Sequence, residues 1–226
     1  MRQITKTDID AIRTHCIWDL GNRVLYDMCR DHPEHKADDE IVAKVWIIGR
    51  SYAASIERRR NAKNIADDFY ETVVAPTMRK QPIDSWLGSI DQKGEPGNAQ
   101  TVTVHKRLMD LFHSITDLEK RSLTSKYLHF HRPNAFFIYD SRTRRSITKV
   151  VPRLNEIPEL DTDEFDHEYR DFVRRCVWLR THIQATLGKG LTPREIDKLL
   201  LMISDDKQVF AGGHSRSGSK PPRGSC

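Results

Sequence analysis

Apolar residues recur at intervals of three and four along most of this chain. A strand turns a side chain inward every second residue and a helix every 3.6, so the spacing specifies a mainly α protein. Ile9, Ile12, Cys16, Leu20 and Leu25 form the first stripe, on a helix starting near Thr7 as N-cap with Asp10 third after it, and "DHPEHKADDE" ends it. Further helices are expected over about 39–58, about 62–79 (with Ile65, Phe69, Val73 and Met78 on one side), about 101–115 and about 119–131. Pro133 stops the last of these because it cannot continue the hydrogen-bond ladder. A short helix over about 141–150 follows the "NAFFIYD" connection, and Asp161 with Glu164 opens a long one to about 187. In "LTPREIDKLLLMI", Thr192 caps, Pro193 takes the first helical position and Glu195 closes a capping box. Residues 1–206 read as one helical domain, and 207–226, rich in Gly, Ser, Pro and basic residues, as a flexible basic tail.

The chain has 226 residues, enough for a substantial core. A mean hydropathy of −0.63, a polar N-terminus and no apolar run of about 18 residues point to an intracellular protein without a membrane span. Cys16, Cys29, Cys176 and Cys226 stand too far apart for a thiolate metal motif, so buried free thiols are expected. Between Glu119 and Arg153 lie nine basic and two acidic residues, a local charge of +7 in a chain of +5. Such an excess suits a polyanion such as nucleic acid, and equally a solvated basic face.

That basic stretch contains "KYLHFHRPNAFFIYDSRTRR". Lys126 lies near the start of a helix, and Asp140 follows a proline break and an apolar connection. A chain reversal there can bring one amine and one carboxylate together. A lysine becomes nucleophilic when burial or neighbouring cations lower its proton affinity, and a carboxylate beside it stabilises a cationic transition state of the kind that forms when a glycosidic C–N bond breaks. Residue types alone leave open a surface lysine and a helix-capping aspartate.

"RSLTSKYLHF" followed by "FFIYDSRT" resembles the helix-hairpin-helix DNA glycosylase superfamily, in particular its 8-oxoguanine glycosylase-like branch. The resemblance implies a helical fold of two subdomains with the active-site cleft between them, Lys126 as catalytic lysine and Asp140 as catalytic aspartate. It covers about residues 119–145 and departs from the family in two ways: "SLTS" has no Gly-x-Gly turn, and the lysine-to-aspartate spacing is shorter. Ser122, Thr124 and Ser125 are therefore expected to offer hydroxyls to phosphate, with Arg121, Arg142, Arg144 and Arg145 holding the DNA backbone. The implied activity is flipping of a damaged or modified base out of DNA and cleavage of its N-glycosidic bond, with a lysine Schiff base permitting strand incision. Oxidised guanine or a hypermodified base of foreign, for example phage, DNA would be the target. The same reading implies a monomer, cytoplasmic and nucleoid-associated when bound to DNA, with no cofactor.

Arg50 and the aromatic rings of Trp18, Trp46 and Tyr52 are candidates for a base pocket, although a salt-bridged arginine and core aromatics serve the fold as well. His129 and His131 are two apart on a helix and do not share a face as zinc ligands would, so no metal site is expected. Two rivals remain. Arg107 to His113 and Arg175 to His182 satisfy the Arg, four to six residues, His pattern of a helical ribonuclease, and the arginine cluster alone is compatible with a non-catalytic nucleic-acid-binding protein.

Overall fold

A computed structural model describes residues 1–58, 68–91, 94–155 and 164–211, with side chains through 205. Among these the structure is helical throughout, with no strand: α1 Lys6–Arg13, α2 Ile17–Asp31, α3 Asp38–Ser51, α4 Ala75–Arg79, α5 Ile83–Gly88, α6 Ala99–Thr116, α7 Arg121–His131, α8 Ser141–Val150, α9 His167–Leu187 and α10 Pro193–Ala211. No described helix is long and apolar enough to cross a membrane.

The expected first helix is two helices. Thr5, not Thr7, caps α1 in a reciprocal box with Asp8, and the backbone is extended at Thr14 and Cys16. Asp19 then accepts from the Cys16 amide and starts α2 on a new register. The break lets α1 pack against α10 and α2 against α7, and it leaves Leu20 exposed rather than in the stripe. Helix α3 ends at Ser51, short of 58, because Ala53 takes a left-handed conformation and the chain turns back so that the Ala54 amide donates to the Gly49 carbonyl. The expected helix over 62–79 is described only from Asp68; Ile65 lies outside the described residues. Its described part opens with a wide π turn, Tyr70–Val74, which buries Val74 and leaves Val73 exposed.

The long helix α9 starts at His167 with Asp166 as its cap, and Asp161 lies outside the described residues. The start of α10 follows the capping box expected from Thr192, Pro193 and Glu195, and its backbone stays helical to Ala211, beyond residue 207. Cys16, Cys29 and Cys176 are buried free thiols; Cys226 is outside the described residues.

Two apolar clusters form the interior. One gathers residues of α2 to α7, the other residues of α1, α8, α9 and α10. The non-helical connection after α7 runs between them, with Phe136 in the first cluster and Phe137 in the second, both fully buried. The two adjacent phenylalanines thus tie the two clusters at one point. Each full burial stabilises by about 1.5–3 kcal/mol. Gly97 presses on this point at φ +76, where an added Cβ would meet Val173 at 2.5 Å, and its amide donates to the Ala135 carbonyl.

His35, His105, His129 and His131 are buried. Burial pushes His35 and His129 down to about 4, His105 to about 3 and His131 well below its ordinary value, so all four are neutral in the fold. In the unfolded chain they titrate near ~6.5. Below that pH the unfolded state takes up protons that the folded state refuses, and stability falls. Asp197, raised by burial to about 6, has the opposite sign as one group against four. The melting temperature is therefore expected to be level above roughly pH 7 and to fall steadily from about pH 6.5 toward pH 4; a Tm unchanged across that interval in thermal scans would refute neutral burial.

Candidate active site

Helix α6 ends at Thr116, Asp117 takes a left-handed conformation as its cap, and α7 begins four residues later. The hairpin thus lies at Asp117–Lys120. "SLTS", which lies within the helix expected over about 119–131, falls in the first turns of α7 and takes no part in the turn. Lys126 is the sixth residue of α7 and projects toward the seam between the two clusters, where it is 1% exposed.

Its amine donates to the Ser122 hydroxyl at 2.7 Å and to the Tyr139 carbonyl at 3.4 Å, and lies 3.8 Å from Asp140 Oδ2. Burial holds the amine below the usual lysine range, while Asp140 and Asp197 pull it upward. The Tyr52 ring lies under it, 5.6 Å from centroid to Nζ.

Asp140 divides its two oxygens between two tasks. Oδ1 accepts from the Arg142 and Thr143 amides and caps α8, while the Thr143 hydroxyl accepts from the Asp140 amide. Oδ2 is left to face Lys126. The cap fixes the carboxylate's direction, so the structural role of Asp140 also places it for chemistry.

The connection leading to Asp140 is held from both clusters. Ser125 accepts from the Tyr139 amide at 3.0 Å and donates toward its carbonyl at 3.2 Å. His129, neutral, donates from Nδ1 to the Phe136 carbonyl at 2.8 Å and accepts at Nε2 from the Tyr26 hydroxyl at 2.7 Å. Tyr169 donates to the Phe137 carbonyl at 3.0 Å.

Lys126 and Asp140 line one cleft of about 630 Å³ with Tyr52, Ser122, Arg142 and Arg144. Arg58 and Glu168 also line it, and no sequence signal pointed to either. The other expected contacts are distributed differently. Arg121 is mostly buried and bonded to Asp166, Glu119 and Glu168, so its guanidinium is spent within the fold although it touches the cleft wall. Thr124 and Ser125 are fully buried, the first donating to the Lys120 carbonyl and the second holding Tyr139; neither can face phosphate. Arg142 pairs with Asp205 and Arg144 with Glu168 at partly exposed positions. Arg145 is exposed on the adjoining groove between α8 and α9.

Of the base-pocket candidates, Tyr52 is in the cleft. Trp18 and Trp46 are exposed on α2 and α3, outside the cleft lining, and Arg50 bonds to Glu57 at 2.5 Å beside the Trp46 ring. The two Arg–His pairs lie on separate helices: Arg107 and His113 are exposed on α6, whereas on α9 Arg175 is paired with Asp171 and His182 stacks on Trp178. Neither pair lines the cleft holding Lys126.

No protein-family model matches this chain, and no curated protein or solved structure matches it. The site therefore stands on its own geometry.

Asp140→Ala should cost about 0.5–2 kcal/mol in urea denaturation through loss of the cap, while Asp140→Asn, an equally good cap, should change stability far less. Ser125→Ala removes the acceptor of the buried Tyr139 amide, while the Tyr139 carbonyl keeps Lys126, and is expected to cost about 1–3 kcal/mol. Equal losses for the two Asp140 variants would show that the negative charge, rather than the cap, carries the stabilisation.

Proposed function

We propose that the protein is a DNA glycosylase that draws a damaged or modified nucleotide into the cleft and breaks its N-glycosidic bond, with Lys126 as nucleophile. The observation that carries this reading is a buried amine whose proton affinity is lowered, 3.8 Å from a carboxylate with a fixed direction, on the wall of a cleft with room for an extruded nucleotide. The order of elements adds support: a helix, a short turn with a left-handed residue, a helix bearing the lysine, and an extended connection ending in the aspartate that caps the next helix.

Neutral Lys126 adds its lone pair to the sugar C1′, and the C1′–N bond breaks with its electrons leaving on the base, which takes a proton from solvent. Asp140 stabilises the positive charge that builds on the sugar. The attached nitrogen, now cationic, passes a proton to Asp140; its lone pair then expels O4′, which takes a proton as C1′–O4′ breaks, and the product is a protonated Schiff base. Solvent water takes a C2′ proton, the freed pair forms a C2′–C3′ double bond, and the C3′–O bond breaks with its electrons leaving on the 3′-phosphate, which incises the strand. Tyr52, under Lys126 and in the cleft, supplies a ring on which the extruded base can stack.

Arg142 and Arg144 hold their carboxylates in exposed pairs of the kind worth about 0–1 kcal/mol, so they can exchange them for phosphates cheaply. Arg121 cannot, because it is buried among three acids. In this reading Arg142, Arg144 and Arg145 carry DNA, and Arg121 builds the cleft wall. The base is oxidised guanine or a hypermodified base of foreign DNA, and the chain acts on duplex DNA as a monomer in the cytoplasm.

The test is borohydride trapping on duplexes carrying oxidised guanine and on modified phage genomes. Wild-type protein should give a covalent protein–DNA adduct, Lys126→Ala none, and Asp140→Asn should cut excision by at least about tenfold with little loss of binding. Arg145→Ala should weaken binding to all duplexes alike and reduce the salt slope by about 0.9. Absence of both adduct and base release on every duplex would overturn the proposal.

A further inference from the structure

Lys126 has a nearer partner than Asp140. Its amine lies 2.7 Å from Ser122 Oγ, against 3.8 Å to the Asp140 carboxylate. The two residues are one turn apart on the same face of α7, and both line the cleft. Among the described residues the amine is the one hydrogen-bond partner of the Ser122 hydroxyl. Ser125 and Thr124 beside it, by contrast, are engaged with backbone groups.

A serine hydroxyl is a weak nucleophile until a base takes its proton, and a desolvated amine is such a base. When Lys126 is charged it donates to Ser122; when it is neutral the same contact reverses, and the hydroxyl donates to the nitrogen lone pair. Burial favours the neutral amine. Asp140 Oδ2, its direction fixed by the cap of α8, faces the ammonium that forms as the proton crosses. Carboxylate, base and hydroxyl stand in the order of a catalytic triad, with lysine as the base.

We propose that Ser122 is a second nucleophile of the cleft, activated by Lys126, and that it hydrolyses esters whose acyl group carries a negative charge. This activity goes beyond the glycosylase reading and shares with it the amine and the carboxylate. Ser122 Oγ adds to the carbonyl carbon while its proton passes to Lys126 Nζ and the C=O pair moves onto oxygen. The oxyanion collapses, the bond to the leaving alcohol breaks, and the leaving oxygen takes the proton from Lys126. Water then adds to the acyl-serine and gives a proton to Lys126; the second collapse breaks the Oγ–C bond, and Oγ recovers that proton as the acid departs. The Ser122 amide, in the first turn of α7, has no acceptor inside the helix and is available to the oxyanion. The lining sets the charge of the substrate. Even with Lys126 neutral, Arg58, Lys120, Arg121, Arg142 and Arg144 stand against three acids, so an anionic acyl group is drawn in.

The test uses full-length protein and two probes, a fluorophosphonate and 4-nitrophenyl hydrogen succinate, whose acyl group ends in a carboxylate. Peptide mass spectrometry should find the phosphonyl group on Ser122, where the Oγ–P bond forms and fluoride leaves. The labelling rate should rise with pH as Lys126 loses its proton and level off below ~10.4, the ordinary lysine midpoint. Lys126→Met should lower that rate by about a hundredfold or more. Ser122→Ala, a change at a half-buried position, should abolish both labelling and ester hydrolysis. The succinate ester should be hydrolysed with a kcat/KM at least about tenfold above that of 4-nitrophenyl butyrate. Wild-type protein that gains no phosphonyl group on Ser122 overturns the proposal, and so does labelling that is flat with pH or unchanged in a folded Lys126→Met. Borohydride trapping of the wild type on DNA separates the two readings: labelling with no adduct on any duplex removes the glycosylase and leaves the serine chemistry, whereas an adduct without labelling does the reverse.

Discussion

Five non-helical residues, Phe136–Asp140, control the architecture. They leave α7 on the side of the first apolar cluster and enter α8 on the side of the second, with Phe136 in one core and Phe137 in the other. A buried segment with no sheet partner must find other bonds for its backbone polar groups. Here side chains supply them: His129 to the Phe136 carbonyl, Tyr169 to the Phe137 carbonyl, Ser125 to both groups of Tyr139 and Thr143 to the Asp140 amide. The connection is held from α7, α8 and α9 together. Lys126 and Asp140 meet because the segment between them cannot be elsewhere.

The same economy explains why so few of the polar residues around the site remain for a ligand. Ser125 and Thr124 are consumed in fixing the connection and the start of α7, and Arg121 in joining α7 to the start of α9 through Asp166. Asp166 also caps α9, so one carboxylate closes a helix end and neutralises a buried guanidinium. What the cleft keeps is the amine, the outer oxygen of Asp140, a tyrosine face and arginines in loose surface pairs.

Electrostatically the interior is arranged to keep proton-binding groups out of their ordinary ranges. The four buried histidines are pushed toward the neutral form because burial penalises the imidazolium, which outweighs the opposing pull of the carbonyls and the carboxylate that bond to three of them. Lys126 and Asp197 are displaced toward each other, one down and one up, by the same loss of solvent.

The helical class, the ends of α8 and the start of α10 were written in local sequence, because helix periodicity, caps and proline breaks act within a few residues. The pairing of Lys126 with Asp140 was also legible, since each lies beside a recognisable break. What local sequence could not express was direction over distance. It gave no reason for Thr14 to Cys16 to divide the first helix, which depends on α1 finding α10. It offered Thr124, Ser125 and Arg121 to a ligand, when burial turned them inward. Asp197 carried no signal in the sequence; only tertiary packing removed its water, leaving its side chain 1% exposed beside Arg194 and pushing its carboxyl up to about 6.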